Sequence, residues 1–139
     1  MEAKRFLEQY GLQYMKVLRL RKEIDALDDL FSITQDMTAE KVQRSPKPDR
    51  IGEIIAKKAD KEEELKAEEK RAEDIMGEIE DVISRVSREK LRFLLVMRYI
   101  NFMRWREIED VLGYDSQQRW VHKLHGRALN EVERIINDL

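Results

Sequence analysis

Between Arg104 and Arg127 the chain gathers side chains able to read or grip a nucleic acid: Arg104, Gln117, Gln118, Arg119, His122, Lys123 and Arg127. A glutamine amide matches the donor and acceptor on an adenine edge, and an arginine fork matches guanine. Lysine and histidine bring charge to phosphate oxygens. Arg119 and Lys123 are one helical turn apart, so a helix presents both to one groove. The same residues also suit the solvated face of a terminal helix, and spacing alone leaves both readings open. Other chemistries find less support. His122 and His125 stand at i,i+3, but no Cys and no clear third ligand lies near them, so no metal site is expected. Carboxylates from Glu62 to Asp74 recur at helical spacing without a histidine, which reads as a solvated face. Trp105 and Trp120 can stack on bases, but anchoring a small domain is the stronger reading. Nothing pairs a nucleophile with a base or forms a glycine-rich phosphate loop, so neither an enzyme, a cofactor nor a small-molecule substrate is expected.

These side chains need a helix to hold them. Val121, Leu124, Ala128, Val132 and Ile135 repeat at three and four, giving a final helix capped by Asp115 or Ser116, with Gln118, Arg119, His122, Lys123 and Gly126 outside. A short helix over Trp105–Leu112 precedes it, with Ile108, Val111 and Leu112 inward and Gly113 closing it in the left-handed conformation. The turn between them is Gly113–Ser116. Upstream, a helix over Arg88–Ile100, capped by Ser87, carries apolar residues on more than one face and reads as central. Together these form a small helix-turn-helix domain over residues 86–139.

The first 85 residues read as a long antiparallel helical hairpin. Phe6, Tyr10, Val17, Leu20, Ile24, Leu27 and Phe31 mark one amphipathic helix, interrupted only by Gln13. A loop is expected near residues 32–49, where Thr34, Asp36, Thr38 and Ser45-Pro-Lys-Pro48 supply turn formers. The second helix starts at Pro48 or Asp49 and runs through Ile51, Ile55, Leu65, Ala72, Met76, Ile79, Ile83 and Val86. One heptad pattern serves either a hairpin within the chain or a homodimer between chains.

Composition agrees with an all-α chain. Charged residues make up 40% and hydrophobic ones 42% of 139 residues, with five Gly and two Pro, a mixture that favours long helices. There is no Cys, no long apolar run, and the start Met1-Glu-Ala-Lys-Arg leads into an amphipathic stretch. A cytoplasmic protein without membrane contact is therefore expected. Net charge is -2, but from Ser84 onward eleven Lys and Arg face eight Asp and Glu, so the basic part is the C-terminal part.

The pattern Leu91, Leu95, Arg98-Tyr99-Ile100, then Trp105, Glu107-Ile108, then Leu112-Gly113-Tyr114, then Val121, Leu124-His125-Gly126-Arg127-Ala128-Leu129 resembles the region 4 helix-turn-helix of bacterial sigma factors. It is especially similar to small phage and prophage proteins that carry this module after a helical, coiled-coil-like part. The likeness covers about the last third of the chain by motif. It implies binding to duplex DNA, transcription regulation of phage genes in a bacterial host cell, and contact with RNA polymerase. Glu109 stands where the family has a small residue, so either the helix approach changes or the carboxylate points outward. The interval from Gly113 to Val121 is about two residues longer than the family pattern. The rival expectation is a structural or assembly protein, contacting polymerase or serving phage packaging, with the same fold and no strong DNA affinity.

Overall fold

A computed structural model of the chain describes residues 2–40, 48–113 and 118–139, without the side chains of 38–40, 48, 118 and 119. Every regular element among them is helical. These are α1 (Glu2–Glu40), α2 (Pro48–Ser84), α3 (Glu89–Leu95) running into a π-helical turn (Val96–Ile100), α4 (Trp105–Leu112) and α5 (Gln118–Asn137). No described helix is long and apolar enough to cross a membrane. Two compact units emerge, and their division does not fall at residues 85 and 86. One is Tyr14–Arg71, and the other joins Met1–Gln13 to Ala72–Leu139.

In the unit Tyr14–Arg71, α1 and α2 pack as an antiparallel pair. Asp28 pairs with Lys58, Glu23 with Lys61 at 3.0 Å and Arg21 with Glu69 at 3.8 Å, so residue numbers fall along one helix as they rise along the other. Val17, Leu20, Ile24 and Ile54 are buried along the seam. Each such side chain contributes about 1.5–3 kcal/mol, whereas a solvated ion pair contributes about 0–1 kcal/mol, so apolar burial holds the pair and the charges set its register. The hydrogen bond from Lys58 to Asp28, more than their charge, holds the lysine above its usual pKa. Two expectations change here. Residues 32–40 continue α1, and the Thr34 hydroxyl donates to the Leu30 carbonyl one turn back at 2.8 Å instead of starting a turn. Residues 41–47 of the expected loop lie outside the described residues. In α2 the inward residue is Ile54 at 6% exposure, while Ile55 is 53% exposed, one position off the expected register.

The other unit is layered around α3. Leu94 and Leu95 are wholly buried, as are Leu7 from α1, Ile108 from α4 and Val121, Ala128 and Val132 from α5. From α2, Ile79, Val82, Ile83 and Val86 add a strip of core. The helix α3 starts one residue later than expected, with Arg88 in extended backbone as its N-cap and no side-chain cap bond. Ser87 is not the cap, because its amide is turned to donate to Glu131 Oε1 at 2.6 Å. That bond, more than any other influence, holds the Glu131 carboxyl below its usual range.

The expected single helix to Ile100 is instead an α-helix followed by the wider π turn. The Asn101 amide donates to the Val96 carbonyl at 3.0 Å, and the Met103 amide donates to Met97 at 2.9 Å. Phe102 follows in the left-handed region at φ 56°, and its ring stacks on Tyr10 with centroids 5.6 Å apart. A Cβ on Gly11 would sit 3.3 Å from that ring, so glycine provides the room for the close approach.

Candidate nucleic-acid interface

The helix α4 spans Trp105–Leu112, as its sequence pattern predicts, and ends on Gly113 at φ 78°. There the Gly113 amide donates to the Glu109 carbonyl at 3.0 Å and to Asp110 at 3.3 Å. Glycine adopts this left-handed geometry without the Cβ clash that other residues meet, so the chain can turn away sharply. Residues 114–117 lie outside the described residues, and with them the expected turn, the caps Asp115 and Ser116, the lengthened interval and Gln117. The helix α5 resumes at Gln118.

The two faces of α5 separate cleanly. Val121, Leu124, Ala128, Leu129 and Val132 are buried, while His122, Lys123 and Arg127 are exposed. Helical spacing places Arg119 one turn before Lys123, although the side chains of Gln118 and Arg119 are not described. Lys123 Nζ lies over the Trp120 ring, 5.5 Å from its centroid. Trp120 is exposed, so of the two tryptophans only Trp105 acts as the expected anchor. Arg104 is exposed at the N-cap of α4, in extended backbone. It directly precedes Trp105, whose ring meets His122 at 5.4 Å, so the start of α4 lies beside the first turns of α5. Arg127 also lines an open cavity of about 650 Å³ together with Arg88, Asn130 and Glu131.

Beneath the exposed face is a cluster that periodicity does not reveal. His125 turns inward, with Nε2 2.6 Å from the Tyr99 hydroxyl, and the edge of Trp105 meets its ring at 4.6 Å. The Arg98 guanidinium lies 4.5 Å over the Trp105 ring while donating to the Met103 carbonyl at 3.1 Å. Burial pulls His125 down to about 4, assisted by the charges of Lys4, Arg98 and His122. Burial likewise pushes Tyr99 up to about 12, with Glu8 adding to it. Both groups are therefore neutral at pH 7. The two histidines thus diverge, one into the core and one to the surface. Among the described residues no group of three or more His, Cys, Asp and Glu is placed to hold a metal ion.

One inward expectation and one outward alternative need correction. Val111 is exposed, and its place on the inner side of α4 is taken by Glu109, which is buried beside the wholly buried Ile108. The carboxylate does not point outward, and Glu109 Oε1 has no hydrogen-bond partner among the described residues. No protein-family model, curated protein or solved structure matches the chain.

Proposed function

We propose that α4 and α5 act as a helix-turn-helix that binds duplex DNA, and that the chain regulates transcription of phage or prophage genes in the bacterial cytoplasm by binding, without catalysis. The observation that carries this reading is the two-faced α5, whose inner residues are buried while His122, Lys123 and Arg127 remain exposed beside Arg104. A recognition helix needs this disposition, with its first turns free to enter the major groove and its inner face anchored. Gln117, Gln118, Arg119 and His122 read base edges, while Lys123, Arg127 and Arg104 neutralise phosphates. The resemblance to sigma region 4 supports the same assignment and extends it to contact with RNA polymerase.

The test is a titration of the full chain against duplex DNA at several salt concentrations. Lys123→Ala and Arg127→Ala are each expected to weaken binding uniformly across sequences and to lower the salt slope by about one. Arg119→Ala is expected to cost about 1–3 kcal/mol on the preferred sequence and to relax that preference. If the wild-type chain binds no duplex even at low salt, where phosphate contacts are strongest, the reading gives way to an assembly or polymerase-binding role.

A further inference from the structure

Although the seam face of α1 is filled by α2, its opposite face in the unit Tyr14–Arg71 is also apolar. Met15 is 66% exposed, Ile33 57% and Met37 55%, with Leu18 and Leu30 exposed beside them. These residues form two patches on one side of the helix, separated by the charged stretch Arg19, Lys22, Asp25 and Asp29, all exposed. The charges are ordered, both cations first and both carboxylates last.

We propose that this outer face of α1 pairs with the same face of a second copy, antiparallel, about a two-fold axis at the level of residue 24. In that register Met15 of one copy meets Ile33 of the other, Leu18 meets Leu30, and Arg19 and Lys22 lie over Asp29 and Asp25. Met15, Leu18, Leu30 and Ile33 and the four charges then find their complements in an isologous contact. A parallel pairing instead stacks Lys22 on Lys22 and Asp29 on Asp29, so the charge order selects the antiparallel form. The paired span from Met15 to Ile33 is about 27 Å at the helical rise, or roughly two and a half heptads, enough for a paired helix contact. The contact is independent of DNA binding and requires nothing from α4 or α5.

The test uses the full chain and its mass in solution. The wild type is expected at twice the chain mass. A variant with Arg19→Glu and Lys22→Glu, and another with Asp25→Lys and Asp29→Lys, are each expected at the monomer mass with unchanged helix content. An equimolar mixture of the two is expected to regain the doubled mass, because each then complements the other. Since the chain has no cysteine, orientation can be read by oxidation. Met15→Cys alone is expected to stay uncrosslinked, whereas a mixture of Met15→Cys and Ile33→Cys chains is expected to form a disulfide-linked pair. A monomeric wild type at all concentrations, an unpaired mixture, or self-crosslinking of the Met15→Cys chain overturns the proposal.

Discussion

Because Tyr99 and Trp105 enclose the His125 ring, protonating it means placing a cation where burial and neighbouring positive charges oppose it. Its folded value of about 4 lies below the ordinary histidine value of 6.5, so the unfolded chain takes up the proton first as pH falls. Stability is therefore fully present above pH 6.5 and is lost as pH drops from 6.5 toward 4. The ring is only partly buried and solvent screens it, which leaves a loss of about 1–2 kcal/mol. Thermal melts of the wild type and His125→Gln across this window check the prediction, the variant being expected to show the smaller decline. The i,i+3 spacing of His122 and His125 was visible in the sequence. Their opposite fates were not, because a difference of three residues rotates a helical position by about 60° and the partners that receive His125, Tyr99 and Trp105, come from other helices.

At the level of helices, the existence and type of the long elements were legible in the sequence, since sustained three-four spacing has few other solutions. Ends and registers were less so. The adjacent pair Ile54 and Ile55 offers two equally apolar choices, and the charged residues that follow do not arbitrate. The structure places half-buried Lys58, Lys61 and Leu65 on the seam, where lysine stems cover apolar surface and their ammonium groups reach Asp28 and Glu23. Ile54→Ala is accordingly expected to cost about 2–4 kcal/mol, and Ile55→Ala less than about 0.5 kcal/mol, measured by denaturant unfolding. The π turn after α3 left no mark in the hydrophobic pattern, since apolar residues crowd every face there. Gly113, by contrast, announced its own role. With φ at 78°, Gly113→Ala is expected to lower stability by about 1 kcal/mol, read as a shift in the denaturant midpoint.

For the molecule as a whole, residues 86–139 are less self-sufficient than their helix-turn-helix pattern implies. Their unit includes Ala3, Leu7 and Tyr10 from the first turns of α1 and Ile79, Val82, Ile83 and Val86 from the end of α2. The Ala3 amide donates to Glu133 Oε2 at 2.8 Å across 130 residues of chain. Local periodicity carries no information about such distant partners, which is why the sequence pattern points to a boundary at residue 85. A fragment of residues 86–139 is expected to lose the sharp thermal transition of the full chain, checked by circular dichroism.

That closure also has a consequence in time. On the ribosome, α1 and α2 can pair across Tyr14–Arg71 while the rest of the chain is still being made, since their contacts need only local sequence. Leu7 and Tyr10, by contrast, are synthesised early and must wait, solvated, until α3 and α5 have emerged. The surface proposed to meet DNA is therefore completed only once α5 has followed α3 out of the exit tunnel, however early its α1 residues were made.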